Sequence, residues 1–308
     1  MTMPKVAVIQ AAPVLFDLEG SLEKVRYWTE LAANEGATLV LFPEVFLSGY
    51  PRGLSFGTVV GSRSAKGRAD WLYYFKAAVK VPGPATDMLA AIARDCGVTL
   101  VIGITEIGES GGTLFCTLLY FSPQGRLLHR HRKIKPTAAE RLIWGEGRGD
   151  DLLAIDTPSG RLGGLICWEN YMPLARMALY EQDIQVYLAP TADQRESWQA
   201  TIRHIACEGR CFVLSANQFV EKNMYPERFQ KELEGQPDIL SRGGSAIISP
   251  LGEVLAGPLW DREGILIAQI ALDEVIQSRL DFDAAGHYQR PDIFAFAWTK
   301  SSSFCPPL

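Results

Sequence analysis

Three side chains in this sequence stand where reactive groups are often delivered. Cys167 lies in Leu162-Gly163-Gly164-Leu165-Ile166-Cys167-Trp168-Glu169-Asn170, between an apolar strand-like run and a helix expected to start near Pro173, since proline suits the first helical turn. A helix N-terminus carries positive potential, which stabilises a thiolate over a thiol. Without that context the residue reads as a buried, inert cysteine. Glu44 ends the run Thr38-Leu39-Val40-Leu41-Phe42-Pro43-Glu44. A carboxyl held against apolar walls has a raised pKa and can move protons near neutrality, whereas the plain reading of this one residue is a solvated loop glutamate. Lys133 follows an alternating run in His129-Arg130-His131-Arg132-Lys133, and the plain reading of those cations is a protected strand edge.

Other chemistry-bearing residues carry less. His129 and His131 share a strand face, but no carboxylate or cysteine stands at ligand spacing, so structural histidines are the favoured reading over a metal pair. Cys207 and Cys211 are four apart on an expected helix with no second ligand pair, and read as small buried hydrophobes. All six cysteines are scattered through the chain, without a Cys-x-x-Cys, so a disulfide framework is not expected.

The elements that must position these groups are legible as β-branched runs: Lys5–Gln10, Thr38–Phe42, Thr99–Ile104, Leu114–Phe121, Leu127–His131, Leu162–Ile166, Val186–Leu188, Phe212–Ser215, Ala246–Ser249 and Ile265–Ile270. Several are apolar throughout, as strands covered on both faces are. Between them lie helical patterns. One is capped at Ser21 and places Leu22, Val25, Thr29 and Ala32 on one face; others span Ala85–Asp95, Pro173–Gln182 and Glu196–Gly209. Turns at Ser122-Pro123-Gln124-Gly125 and Ser249-Pro250-Leu251-Gly252 imply hairpins within the same sheets. The expectation is an α/β fold with mixed sheets, in which sites form at the carboxyl ends of strands. All three candidates arrive at such ends.

At 308 residues, 47% hydrophobic and 21% charged, the chain can bury a real core and is not composed like a disordered one. No linker or repeat divides it, so one domain over 1–308 is expected, with 280–308 an extension or contact tail ending loosely at Pro306-Pro307-Leu308. A net charge of −5 without a basic run argues against a nucleic-acid partner. No apolar run reaches the ~18 residues a membrane helix needs. No secretory pattern opens the sequence, so the cytoplasm is the expected address.

Taken together and in order, Leu41-Phe42-Pro43-Glu44, His131-Arg132-Lys133 and Ile166-Cys167-Trp168-Glu169-Asn170 resemble the nitrilase superfamily of carbon–nitrogen hydrolases. The likeness runs over nearly the whole chain. Gly49-Tyr50-Pro51-Arg52-Gly53, Pro136-Thr137, Glu140-Arg141, Trp144-Gly145, Ser197-Trp198-Gln199, His204-Ile205-Ala206, Gly243-Gly244-Ser245-Ala246, Gly286-His287-Tyr288 and Arg290-Pro291-Asp292 extend it. Trp168-Glu169-Asn170 after the cysteine resembles true nitrilases rather than amidases or carbamoylases. The sequence ends sooner after Arg290-Pro291-Asp292 than many nitrilases do, which bears on filament geometry more than on chemistry.

The resemblance implies an α-β-β-α sandwich, a Glu44–Lys133–Cys167 triad with Glu140 as a further glutamate, no cofactor and no metal. It implies a homodimer or a larger spiral assembly. The implied reaction converts an organic nitrile and two waters to a carboxylic acid and ammonia through thioimidate and thioester intermediates on Cys167. Candidate pocket walls are Tyr50, in the loop leaving Glu44, and Trp144, Trp168 and Tyr171. Competing readings are an amidase or carbamoylase with the same triad, a cyanide-converting relative, and a silent binding protein on the same scaffold.

Overall fold

The computed structural model describes residues 3–299; Cys305 and the Pro306-Pro307-Leu308 ending lie outside the described residues. In chain order the first part carries β1 (Lys5–Gln10), α1 (Leu18–Asn34), β2 (Leu39–Leu41), α2 (Ala65–Lys76), β3 (Val79–Lys80), α3 (Pro84–Cys96), β4 (Thr99–Ile107), β5 (Leu114–Phe121) and β6 (Leu127–Arg132). The second carries β7 (Ile155–Thr157), β8 (Gly160–Gly164), α4 (Pro173–Tyr180), β9 (Val186–Leu188), α5 (Glu196–Gly209), β10 (Phe212–Ser215), β11 (Phe219–Glu221), α6 (Glu227–Gln230), β12 (Ile239–Ile248), β13 (Val254–Trp260), β14 (Gly264–Gln269) and α7 (Asp273–Ser278).

These strands make two seven-stranded mixed sheets. One runs β14-β1-β2-β4-β5-β6 with β3 on β4; the other runs β11-β12-β10-β9-β8-β7 with β13 on β12. In each, a parallel trio (β1-β2-β4 and β8-β9-β10) is flanked by antiparallel strands. Alternation sorts the side chains. Val6, Val8, Leu39 and Leu41 of the first sheet meet Leu162, Val186, Leu188 and Leu214 of the second in a central core. The opposite faces bury Ala7, Ile9 and Val40 under α1 and α3, and Tyr187, Val213 and Ile248 under α4 and α5. The result is an α-β-β-α sandwich. Each large aliphatic side chain buried this way contributes about 1.5–3 kcal/mol, so the sheets are rigid supports for whatever their loops carry.

The α1 face is as expected, with Leu22, Val25, Thr29 and Ala32 buried, but its cap is not Ser21. Asp17 starts the helix one turn earlier by accepting from the Gly20 N–H at 3.1 Å. Ser21 is buried inside the helix and donates to the Val14 carbonyl at 3.0 Å. A carboxylate before Leu18 competes better for the free N–H groups than a hydroxyl already satisfied by another carbonyl. Both expected hairpin turns link their strand pairs, β5 to β6 and β12 to β13. Within 223–238, where Pro, Glu and Gln suggest an exposed loop, Tyr225, Phe229 and Leu233 are buried in the central core. Beyond α7 the chain returns along the second sheet's outer layer, where Phe296 and Trp298 pack against that cluster.

Candidate active site

Glu44, Lys133 and Cys167 leave three strands at one end of the sandwich, after β2, β6 and β8. The Glu44 turn is clamped onto β4: the Phe46 N–H donates to the Gly103 carbonyl at 2.7 Å, and the Gly103 N–H to the Pro43 carbonyl at 3.2 Å. A Cβ on Gly103 would sit 2.7 Å from the Glu44 Cα and 2.4 Å from the Pro43 oxygen. Only glycine permits that approach. Lys133 is fixed at its backbone by donation to the Cys116 carbonyl at 2.8 Å. Cys167 stands at φ 52°, a left-handed conformation that costs a non-glycine residue about 1–3 kcal/mol. It opens a short 3-10 turn over Cys167–Tyr171, and its N–H donates to the Pro190 carbonyl at 2.8 Å.

The three side chains are buried together. The Lys133 ammonium donates to Glu44 Oε1 and to Glu140 Oε2, both at 2.8 Å. Glu140 also accepts from the Tyr50 hydroxyl at 2.7 Å and the Thr137 N–H at 2.7 Å. Gln218 donates to the Glu44 carbonyl at 2.8 Å, and Thr191 donates to Cys167 Sγ at 3.2 Å. Among the described residues, Glu44 Oε2 is buried with no hydrogen-bond partner. An unpaired carboxylate oxygen is costly to bury; here it is the free acceptor of the cluster.

Burial would lower the Lys133 pKa, but Glu44 and the other acidic groups around it hold it well above the ordinary lysine value, so it is an ammonium at any ordinary pH. Burial raises the Glu44 carboxyl, Lys133 opposes that, and Glu140 adds to it; the net direction is upward. The Cys167 thiol is pushed up to about 12 by burial first and by the Glu44 carboxylate second. The helix-terminus expectation therefore fails. The long helix does begin at Pro173, but Cys167 precedes it by a whole 3-10 turn, inside a desolvated site that shares one ammonium among several acids. At rest Cys167 is a thiol.

A cavity of about 270 Å³ opens onto Cys167 and Glu140. Tyr50 and Trp168 form part of its wall, with Arg52, Asp193 and Arg195. Trp168 donates its indole N–H to Asp193 at 2.8 Å. Trp144 does not reach this cavity. It packs behind the Tyr50 ring, 5.7 Å between centroids, and lines an adjoining hollow. Tyr171 also stands off the cavity, edge-on between Trp168 and Trp198.

A pair not singled out by sequence reasoning ties the site together. Glu169, fully buried, accepts from the Ile166 N–H at 2.7 Å, the Ile134 N–H at 2.6 Å and His131 Nε2 at 3.0 Å. His131 Nδ1 meets the Asp151 carbonyl at 3.1 Å. Ile134 and Ile166 adjoin Lys133 and Cys167, so one carboxylate straps the two segments. His129 faces the same Asp151 carbonyl at 3.0 Å, and among the described residues no group of acids, histidines and cysteines is placed to hold a metal ion. Cys211 is buried and Cys207 half-buried, each a free thiol.

The carbon–nitrogen hydrolase family profile matches residues 5–280. The chain belongs to the carbon–nitrogen hydrolase family. An aliphatic nitrilase of Sinorhizobium fredii is 48% identical over 295 residues, spanning 96% of this chain and 95% of that protein. Nitrilase 3 of Arabidopsis thaliana is 47% identical over 297 residues, spanning 94% and 85%. These relatives put this carbon–nitrogen hydrolase in the nitrilase branch. Two solved structures share its fold. Nit3 of Saccharomyces cerevisiae, a member of branch 10 of the nitrilase superfamily, superposes with a TM-score of 0.74 at 20% identity, covering 94% of this chain and 97% of that one. An amidase from Nesterenkonia sp. superposes with a TM-score of 0.67 at 21% identity, covering 91% and 95%.

Proposed function

We propose that this chain hydrolyses organic nitriles to carboxylic acids and ammonia. What carries the reading is the free Glu44 Oε2 in a buried Glu44–Lys133–Cys167 cluster, on a chain nearly half identical to nitrilases over most of its length. A neutral thiol cannot attack until its proton has a destination, and Glu44, with its raised pKa, is matched to receive it. Cys167 Sγ then bonds to the nitrile carbon, one carbon–nitrogen π bond breaks, and the proton passes through Glu44 to nitrogen, leaving a thioimidate. Water adds with Glu44 as base: its oxygen bonds to carbon, the second carbon–nitrogen π bond breaks, and its proton passes through Glu44 to nitrogen. As the new hydroxyl gives its proton to nitrogen through Glu44, the remaining carbon–nitrogen σ bond breaks, ammonia leaves, and a thioester remains. A second water displaces Cys167 and releases the acid.

Lys133 stays charged throughout, and stabilises the anionic centre that each addition builds. Preorganised donors of this kind are worth roughly 2.7–4 kcal/mol. The N–H of Trp168, next after Cys167, serves the same centre. Glu140 holds the ammonium in place. Trp168 and Tyr50 form the substrate wall directly, and Trp144 and Tyr171 support it from behind. We further propose that the enzyme works in the cytoplasm as a homodimer or a longer spiral. Among the described residues no helix is long and apolar enough to cross a membrane.

The test is ammonia release from a nitrile and from its matching amide. Hydrolysis of the nitrile, with the amide turned over far more slowly, supports the proposal. Preference for the amide would make the chain an amidase. Multi-angle light scattering that found only monomers at working concentration would remove the assembly.

A further inference from the structure

Around the cavity above Cys167 three cations face three carboxylates, but the pairing is uneven and leaves one cation without a carboxylate of its own. Lys133 is matched by Glu44 and Glu140. Arg195, on the cavity wall, is matched by Asp193. Arg52 lines the same wall, and among the described residues no carboxylate lies within ion-pair distance of it. Its guanidinium makes one hydrogen bond, to the Ala192 carbonyl, and lies over the Tyr50 ring at 5.3 Å from the centroid. A guanidinium presents five donors in a fixed fork, and one carbonyl leaves most of them unused.

The loop holds this group still. Gly49 and Gly53 bracket it at φ 80° and 79°, and the Arg52 N–H donates to the Tyr50 carbonyl at 2.8 Å. A Cβ on Gly53 would meet Leu233 at 2.8 Å. The Tyr50 ring beneath Arg52 is itself pinned by its hydroxyl on Glu140. The cation is thus stacked, tethered through one donor, and part of the lining of the cavity that opens onto Cys167.

We propose that Arg52 is a carboxylate-binding subsite and that the preferred nitriles are short aliphatic cyano-carboxylates. This rests on the nitrile-hydrolysing reading above. The cyano carbon reaches Cys167, and the carboxylate at the other end of the molecule meets the free edge of the guanidinium. A cavity of about 270 Å³ suits a chain of a few methylenes between the two groups. A charged, bidentate contact of this kind changes affinity roughly 10- to 100-fold.

The experiment compares 4-cyanobutanoate with 5-methylhexanenitrile, which has the same shape and no charge. In the wild-type protein kcat/KM for the cyano acid should exceed that of the neutral nitrile by roughly tenfold or more. In Arg52→Leu the ratio of the two should fall by roughly 10- to 100-fold, and in Arg52→Lys, which keeps the charge but not the fork, it should fall less. Glutarate should inhibit the wild type competitively and the Leu variant weakly. A wild-type ratio at or below one, or a ratio unmoved in Arg52→Leu, overturns the subsite while leaving nitrile hydrolysis in place. Failure of both compounds and of every other nitrile would instead overturn the underlying activity. Because the readout is a ratio, a general loss of activity from releasing the Ala192 carbonyl does not imitate the result.

Discussion

Replacing Glu44 by Gln separates the two things that carboxylate does. In the proposed reaction it is the base, through its free oxygen, and its negative charge adds to the effect of burial in holding the Cys167 thiol near 12. The swap keeps shape, and Glu140 still balances the Lys133 ammonium at 2.8 Å, so the fold should survive. With a pKa of about 12, only about one thiol in 10⁴ is ionised at pH 8, an ionisation cost of about 5 kcal/mol. In the proposed reaction Glu44 avoids that route by taking the proton locally. Its removal should therefore lower nitrile turnover by roughly 10²–10⁴. Yet a neighbouring like charge moves a pKa by roughly one to three pH units, so Cys167 should ionise at lower pH in the variant. The assay pairs ammonia release with iodoacetamide alkylation across pH, mapped to the Cys167 peptide because Cys96 and Cys207 are partly exposed. Turnover should fall while the alkylation profile moves toward lower pH. An unchanged profile, or one that moves up, refutes the charge argument; near-normal turnover refutes the base.

Cys167→Ala should abolish ammonia release, and wild-type protein quenched during turnover should show a mass adduct on Cys167 alone; activity persisting in the Ala variant ends the covalent route. Glu140 raises the Glu44 pKa, so Glu140→Gln should move the acid limb of kcat/KM to lower pH besides lowering kcat. A limb that stays put or rises would show that Glu140 does not act on Glu44. Glu169→Gln breaks a buried pair and should cost about 3–5 kcal/mol of stability, read as a fall in thermal midpoint. His131 is lifted above its ordinary 6.5 because Glu169 outweighs burial. Its contribution is complete below that value and is lost as pH rises through the folded pKa. Glu169, lowered below 4.5 because His131 and two N–H groups outweigh burial, contributes above 4.5 and is lost only on acidification. The wild-type thermal midpoint should therefore decline on the alkaline side of 6.5, and His131→Asn should flatten that decline; an equal slope in both proteins would discount the pair.

The strands that sequence reading located best are those covered on both faces. β1, β5, β9 and β10 match residue for residue because a run with an apolar, β-branched or aromatic centre has few competing explanations. What was missed has a reason in each case. α2 carries Trp71, Leu72, Tyr73, Tyr74 and Phe75 in one block, with Gly67 in its first turn, so no helical period emerges. β13 contains Gly257-Pro258, which argues against a strand in general, but among the described residues it pairs only with β12, and as an edge it tolerates a residue without an N–H. Asp17 and Ser21 are both legitimate caps by type, and tertiary contact with Val14 decided between them.

For the site, position alone left Glu44, Lys133 and Cys167 with bland readings, the family resemblance grouped them, and neither carried their electrostatics; the structure brings the three side chains into one buried cluster. Burial is a property of the assembled sandwich, and it inverts the local reading: Glu44 is not solvated, Lys133 is not an edge cation, and Cys167 is not a thiolate. The Glu169–His131 strap was invisible because its partners lie 38 residues apart, although a signal existed in His131 alternating with Lys133 along one strand. This geometry also explains why a nucleophile should be kept neutral. A standing thiolate beside a cavity that opens to solvent would meet oxidants and adventitious electrophiles as readily as substrate. In the proposed reaction a thiol at φ 52°, in the same buried cluster as an unpaired carboxylate oxygen, ionises only when that oxygen takes its proton, and that step is coupled to a carbon placed to receive the sulfur.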